Sequence, residues 1–168
     1  MGNLSLDRQF VFKKVGIASD HAGKSLKKMI LDFAQHLEVE VVDYGISSDE
    51  DKAVDYPDYA KLIANDIGRQ KISGAIAICG TGMGMAMTAN KFPGIRAVCP
   101  WDEYSCRMGR QHNKANVLCL GARSLNYHRA VDLVNIWLST PFIGEQHTMR
   151  IEKLGQIEKK LFKDSDSH

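Results

Sequence analysis

The chain has 168 residues and a formal net charge of +2 at pH 7, with 44% hydrophobic and 25% charged residues, which is an ordinary globular composition. The small charge and the lack of long basic runs argue against nucleic acid or a membrane as partner. No stretch approaches the roughly 18 apolar residues of a membrane span, and the N-terminus lacks a signal-peptide core. We therefore expect one cytoplasmic domain over residues 13–162, between an N-terminal extension (1–12) and a polar tail (163–168).

Short apolar runs that alternate with amphipathic segments predict an α/β fold. Buried strands are predicted at residues 15–19, 39–43, 75–79, 95–99 and 116–120. Helices are predicted at residues 26–37, 57–68, 83–91, 103–111, 130–138 and 147–161. The first two helices are expected to bury Leu26, Met29, Ile30, Phe33 and Leu37, and Tyr59, Leu62, Ile63 and Ile67, respectively. Five strands alternating with helices indicate an open parallel sheet covered on both faces, with the ligand beyond the carboxyl ends of the strands.

The last helix has an apolar stripe of its own, formed by Ile151, Leu154, Ile157 and Leu161. It follows the final strand at some distance. Two interpretations stay open: the helix closes its own domain, or it packs on a second subunit.

A glycine-rich turn follows the third strand, in the stretch Ala75-Ile-Ala-Ile-Cys-Gly-Thr-Gly-Met-Gly-Met85. A strand, a glycine turn and a helix N-terminus together form an anion-binding device. The dinucleotide fingerprint G-x-G-x-x-G does not fit, because the third glycine comes one residue early. A P-loop does not fit residues 18–25 either, because Ala18 stands where its first glycine belongs.

Cys79 lies at the mouth of this turn. It is either a small core residue or a thiolate favoured by the neighbouring amides. The same amides would stabilise an anion formed on a substrate, which suits proton abstraction next to a carbonyl and an enediolate. Thr81 adds a hydroxyl. No C-x-x-C pair and no His pair at zinc spacing is present, so we expect no metal site. Cys99 and Cys119 are interpreted as core residues.

Three further groups of polar residues are candidates for the site. Asp20-His21 follows the first strand and is either a helix cap or a pair facing Cys79. His112-Asn113 precedes the fifth strand, on the wrong edge for the same subunit's cleft, although it would reach a neighbour's cleft. Arg123, His147 and Arg150 are either phosphate ligands or surface charges.

Five segments together resemble the ribose-5-phosphate isomerase type B family, which includes galactose-6-phosphate and allose-6-phosphate isomerases. They are Ser19-Asp-His-Ala-Gly23, Asp55-Tyr-Pro57, Cys79-Gly-Thr-Gly-Met-Gly84, Arg110-Gln-His-Asn113 and Asn116-Val-Leu-Cys-Leu-Gly-Ala-Arg123. The resemblance implies a three-layer Rossmann-like sandwich with a five-stranded parallel sheet. It also implies a homodimer, often paired into a tetramer, with active sites shared across the interface, and isomerisation of a sugar phosphate without metal or organic cofactor.

The resemblance also implies a role for each site residue. Cys79 would be the base that moves a proton between C1 and C2, and His112 the acid that opens the furanose ring, with Thr81 assisting. Asp20 would move the proton between the substrate oxygens. The substrate and its phosphate would be bound by the glycine turn and by polar side chains: Asp20, His21, Gly80, Thr81, Gly82, Met83, Gly84, Asn113, Arg123, Gln146, His147 and Arg150.

One position departs from the family pattern. Members commonly have Gly-x-Arg-His-x-x-Arg at the start of the last helix, whereas this chain has Gln146 in place of the first arginine. A glutamine still donates a hydrogen bond but carries no charge. We expect conversion of ribose 5-phosphate and ribulose 5-phosphate. The alternatives are a 6-phosphohexose isomerase or a non-catalytic module that binds nucleotides or sugar phosphates.

Overall fold

The structure, a computed structural model, describes residues 10–47 and 52–165. The strands are β1 (Lys14–Ser19), β2 (Glu40–Asp43), β3 (Gly74–Cys79), β4 (Ala97–Val98) and β5 (Val117–Gly121). The helices are α1 (Lys24–Ala34), α2 (Tyr56–Gly68), α3 (Met83–Ala89), α4 (Glu103–Gln111), α5 (Tyr127–Ser139) and α6 (Gln146–Ser165). Most of the predicted extension and the end of the predicted tail lie outside the described residues.

All strand pairs of the sheet are parallel, in the order β2-β1-β3-β5-β4. The predicted α/β fold is therefore confirmed. β4 is shorter than predicted, with two paired residues at the edge of the sheet. β2 lies on one side of β1 and β3 lies on the other, so the strand order changes direction between β1 and β3. The loops that follow these two strands therefore diverge and open a crevice at the carboxyl edge.

The central strand β3 is buried along its whole length and separates two apolar cores. Ile76 and Ile78 pack into the core that contains Trp137 of α5. Ala77 and Cys79 face the opposite core, which contains residues of α2 and α3. This alternation follows from the two-residue period of a strand. It places the sulfur of Cys79 on the α3 side of the sheet.

Helix α5 buries every apolar residue that its pattern predicted, which were Ala130, Leu133, Val134, Trp137 and Leu138. The predicted face of α2 is partly wrong. Ile63 is buried, but Leu62 is 47% exposed, and Ala60 and Ala64 contact the core instead. Positions 60, 63 and 64 share one face of the helix, and Leu62 lies away from that face.

Helix α1 also departs from its predicted face. Met29 is exposed, whereas Lys27 is buried. The ammonium of Lys27 lies 2.6 Å from Asp43 Oδ1, so the buried charge has a carboxylate partner. A buried cation with such a partner is tolerated where an unpaired one is not. Hydrophobic periodicity alone does not reveal this pair.

Two segments at the ends of the described chain complete the fold. Phe12, which we assigned to the extension, is buried and stacks on Trp137 at 4.2 Å. The apolar residues Leu154, Ile157 and Leu161 of α6 are exposed, and Leu161 is 65% exposed. Among the described residues, none of the helices is long and apolar enough to cross a membrane.

Candidate active site

The glycine turn between β3 and α3 is held in a conformation that only glycine adopts easily. Gly82 has φ +80° and directly precedes the first residue of α3. A Cβ atom at this position would lie 2.8 Å from Cys99 Sγ and 3.0 Å from the backbone carbon of Leu120. The turn is therefore both left-handed and tightly enclosed, so a larger residue would displace it.

The sulfur of Cys79 is joined to this turn by a hydrogen bond. Cys79 is 4% exposed, and the backbone amide of Gly82 donates to Sγ at 3.1 Å. This contact fixes the sulfur beside the first residues of α3, with a backbone amide as its donor. The next amides of α3 are among the four that a helix leaves without an intrahelical partner. The turn thus provides a sulfur and amide donors side by side.

Cys99 packs at the edge of the α3-side core, in line with the sequence interpretation, and it also contacts the glycine turn. It is half-buried, and its Sγ lies 3.6 Å from the carbonyl oxygen of Thr81. Burial raises the pKa of the Cys99 thiol, and the nearby Cys79 adds to the effect. The thiol therefore stays neutral and supports the turn. Cys119 is fully buried, as predicted for a core residue.

The loop after β1 brings Asp20 and His21 to the same edge of the sheet. The amide of Asp20 donates to the carbonyl of Ile78, the residue before Cys79. Asp20 Oδ1 accepts from the amides of Ala22 at 2.9 Å and Gly23 at 3.1 Å. The cap interpretation is wrong, because Gly23 precedes α1 and the helix has no side-chain cap. Asp20 instead bonds two loop amides before α1, next to the end of β3. β1 and β3 are neighbours, as expected.

His21 is exposed, and its ring is oriented by the loop before α2. The Nδ1 atom lies 2.9 Å from the carbonyl oxygen of Val54. The Val54 amide also lies 3.3 Å from Nδ1, so the backbone of Val54 holds the imidazole in either tautomer.

Arg123 reaches the glycine turn from the loop after β5. Its amide donates to the carbonyl of Gly80 at 2.9 Å, and the amide of Ala122 donates to the carbonyl of Cys79 at 2.9 Å. The Arg123 side chain passes 3.5 Å from where a Cβ of Gly80 would stand. This is an ordinary van der Waals distance, so the guanidinium lies in direct contact with the turn at Gly80.

Tyr56 is a residue that sequence reasoning missed. Its ring lies against the backbone of Gly84, so a Cβ at position 84 would be 2.8 Å from ring carbons. Tyr56 is the first residue of α2, and its ring lines the crevice on the α3 side. The Asp-Tyr-Pro segment was the available signal, but only its proline was interpreted, as a helix start.

The remaining predicted site residues gather at the opposite edge of the sheet. The imidazoles of His112 and His147 are stacked, with ring centroids 4.0 Å apart and planes at 8°. His147 is buried and lies beside Gln146 at the start of α6, one turn before Arg150. Burial, together with nearby His112 and Arg150, lowers the pKa of His147. Its Nδ1 atom is buried and has no hydrogen-bond partner in the part of the chain described.

The strand register shows that these two groups of residues are separated within one chain. Cys79 pairs with Gly121 at one end of β5, and Ala75 pairs with Val117 at the other. Four residue steps along a strand span about 13 Å. His112 and Asn113 lie before Val117, at the amino edge.

We name these groups by the edge on which they lie. The carboxyl-edge half-site comprises Asp20, His21, Cys79 to Gly84 and Arg123, and the amino-edge half-site comprises His112, Asn113, Gln146, His147 and Arg150. The structure therefore places Arg123 apart from His147 and Arg150 in one chain. Within the described residues, no group of three or more His, Cys, Asp or Glu side chains could hold a metal ion.

A parallel α/β fold with a thiol and helix-start amides at the carboxyl edge of the sheet is typical of enzymes that bind small anionic substrates. Comparison with known proteins narrows the class. The model of the ribose/galactose isomerase family matches residues 15–154, so the chain belongs to that family. It is accordingly an aldose–ketose isomerase.

Relatives and solved structures agree with this assignment. Ribose-5-phosphate isomerase B of Escherichia coli (strain K12) is 40% identical over 148 residues, which cover 88% of this chain and 98% of the relative. The structure of ribose-5-phosphate isomerase B from Clostridium thermocellum has a TM-score of 0.84 at 43% identity, covering 88% of this chain and 99% of that chain. The structure of ribose-5-phosphate isomerase B from Mycoplasma genitalium with bound ribulose-5-phosphate has a TM-score of 0.81 at 38% identity, covering 87% of this chain and 96% of that chain.

One relative carries a different substrate in its name. D-erythrulose-4-phosphate isomerase of Pectobacterium atrosepticum is 36% identical over 144 residues, covering 86% of this chain and 94% of that protein. The relatives' names thus include a tetrose phosphate beside a pentose phosphate.

Proposed function

We propose that this protein interconverts D-ribose 5-phosphate and D-ribulose 5-phosphate through an enediolate, with Cys79 as the base. The observation that carries the proposal is the hydrogen bond from the Gly82 amide to Cys79 Sγ in the turn before α3. It joins a proton acceptor to a row of amide donors. The reaction needs both, because removal of a proton next to a carbonyl leaves negative charge on oxygen.

In the proposed mechanism, the Cys79 thiolate takes the proton from C2 of the open-chain aldose. The electron pair of that bond forms the C1–C2 double bond, and negative charge moves onto O1. Amides of the turn, together with the Thr81 hydroxyl, donate to the enediolate. A single donor of this kind contributes roughly 10²–10³-fold in rate. The thiol then returns the proton to C1, which produces the ketose.

Asp20 is assigned to the movement of the second proton, from O2 to O1. The amides of Ala22 and Gly23 both bond Oδ1 and hold the carboxylate in place. We therefore assign the proton relay to Oδ2. A carboxylate fixed in this way costs little reorganisation when the reaction occurs.

We further propose that the active site is completed by a second copy of the chain. The amino-edge half-site contains the acid for ring opening, His112, but lies about 13 Å along β5 from Cys79. A two-fold dimer would bring the half-site of one copy to the carboxyl edge of the other, since an isologous interface repeats every contact twice. The exposed apolar residues of α6, including Leu154, Ile157 and Leu161, suit such an interface.

The phosphate would then be bound by groups from both copies. His21 and Arg123 come from the carboxyl edge, and His147 and Arg150 from the amino edge. Arginine suits the task because its planar fork binds phosphate oxygens in pairs. A working thiolate requires a reduced cysteine, which is consistent with our expectation of a cytoplasmic enzyme.

A second candidate substrate follows from Gln146. It is exposed at the first residue of α6, where the family resemblance leads us to expect an arginine. The loss of one charge-assisted hydrogen bond costs roughly 1.5–3 kcal/mol. A weaker phosphate clamp would raise KM or widen the choice to a 6-phosphohexose or a tetrose phosphate. Relative kcat/KM on these sugars decides between the candidates.

The test is solvent deuterium exchange with ribose 5-phosphate in D₂O, followed by NMR. The wild-type protein should form ribulose 5-phosphate and incorporate deuterium at the exchanged carbon, and Cys79→Ala should abolish both. Cys99→Ala is the matched control, because it removes a thiol beside the same turn without removing the base. If wild type binds AMP or NAD, as judged by a raised Tm, but never exchanges deuterium, a non-catalytic binding module is the correct function.

A further inference from the structure

Arg110 is a buried cation without a carboxylate partner in the part of the chain that the structure describes. It is 5% exposed in the last turn of α4, next to the segment that carries His112. Its guanidinium donates through Nε to the carbonyl of Thr140 at 3.1 Å, and through Nη1 to the carbonyl of Ala115. Burial lowers the pKa of Arg110 to about 10, so it stays charged at neutral pH.

The two carbonyls that Arg110 binds belong to the two segments of the amino-edge half-site. Ala115 ends the turn that contains His112 and Asn113. Thr140 follows α5 and begins the connection that leads to His147. A second link runs parallel to this one, because the amide of Ile143 donates to the carbonyl of Gln111. One planar guanidinium therefore joins the segment that follows His112 to the segment that leads into His147.

Aromatic rings take the place of the missing carboxylate. The Arg110 guanidinium carbon lies 4.5 Å from the ring centroid of Phe12 and 6.0 Å from that of Trp137. Such contacts stabilise a desolvated cation, because the face of an aromatic ring carries partial negative charge. Phe12 lies before residue 15, where the family match begins. This ring is therefore supplied by a segment outside the matched region.

We propose that Arg110, covered by Phe12, is a positioning residue that keeps the imidazoles of His112 and His147 in their stacked arrangement. The inference rests on the proposed function, in which His112 opens the sugar ring. Arg110 itself does not contact the substrate. Its effect passes through the backbone carbonyls of Ala115 and Thr140, and a displacement of about 1 Å at a reacting group costs up to 10²-fold in rate.

The test separates ring opening from proton abstraction. Ribose 5-phosphate is mostly a closed furanose, whereas ribulose 5-phosphate has no free hydroxyl at O5 and stays open. Isomerisation of ribose 5-phosphate therefore needs His112, but solvent deuterium wash-in at C1 of ribulose 5-phosphate needs only the base. Arg110→Lys keeps the charge and removes the planar fork that spans both carbonyls. Phe12→Leu keeps the apolar packing and removes the aromatic face.

We expect Arg110→Lys to lower the forward kcat at least tenfold and to leave the wash-in rate within twofold of wild type. Phe12→Leu should lower the ratio of forward kcat to wash-in rate by a smaller factor than Arg110→Lys. An NMR cross-peak between the ring protons of His112 and His147 should weaken in both variants. Ile30→Val, a buried substitution on α1, is the control for a general loss of stability and should change neither the ratio nor the cross-peak.

The proposal is overturned if forward rate and wash-in fall by the same factor, or if both stay at the wild-type level. If Arg110→Lys does not fold, Phe12→Leu decides alone by the same criteria. Failure of the proposed function has a different signature, since wild type itself would then show no wash-in. In that case the cross-peak between the two imidazoles decides whether Arg110 positions them.

Discussion

A shared active site predicts that two inactive variants restore activity when they are combined in one dimer. Cys79→Ala removes the proposed base from the carboxyl edge, and His112→Ala removes the proposed acid from the amino edge. The two residues lie at opposite ends of β5, whose residues paired with β3 span about 13 Å. Each homodimer should therefore be inactive on ribose 5-phosphate, because both of its sites lack one essential group.

The mixed dimer should regain activity, since one of its two sites lacks both groups and the other lacks neither. A purified heterodimer should thus have about half of the wild-type kcat, and a random mixture, in which half of the dimers are mixed, about 25%. The KM of the restored activity should equal that of wild type, because the intact site is chemically complete.

The assay is co-expression of the two variants with different affinity tags, tandem purification and a coupled isomerase measurement. A mixed dimer of Cys79→Ala with Cys79→Ser is the control, since neither of its sites contains a thiol base. An inactive heterodimer of Cys79→Ala and His112→Ala would refute the shared site. A protein that is monomeric at assay concentration and still fully active would refute it as well.

Three further predictions concern the glycine turn, its thiols and the amino edge. Gly82→Ala should lower the free energy of unfolding by about 2 kcal/mol or more, because φ is +80° and the added methyl meets Cys99 Sγ and the Leu120 backbone; urea denaturation measures it. Iodoacetamide at neutral pH should modify Cys79 before the more exposed Cys99, whose pKa burial raises; peptide mass spectrometry gives the order. The Tm should fall as the pH drops below about 6.5, because the lowered pKa of His147 lets the unfolded chain bind a proton that the folded chain does not.

Each of these predictions has a matched comparison. Gly68→Ala lies in open space at the end of α2 and should cost nothing, or even stabilise the helix by a few tenths of a kcal/mol; an equal loss in both glycine variants would contradict the steric argument. Labelling of Cys99 before Cys79 would show that exposure, not thiolate character, controls reactivity. For the pH effect, His147→Gln should flatten the dependence of Tm on pH, and an unchanged slope would exclude His147 as its source.

The sequence by itself determined the features that depend on local pattern. β3 and its glycine turn were predictable because an apolar run that ends in Gly-x-Gly-x-Gly has few other conformations, and Gly82 indeed requires positive φ. Helix α5 was predictable because its apolar residues repeat at the helical period and all face one core. The family was predictable because several short motifs occur together and in order.

Only the tertiary structure decided which residues meet across the sheet. The burial of Lys27 depends on Asp43, 16 residues away, and the position of Cys99 beside Thr81 depends on the alignment of β4 with the glycine turn. The division of the site into two half-sites follows from the register of β3 with β5, which separates Cys79 from His112. Hydrophobic period specifies which face of an element is buried, but packing between distant segments specifies its neighbours. The site therefore becomes visible as two halves only in the folded chain.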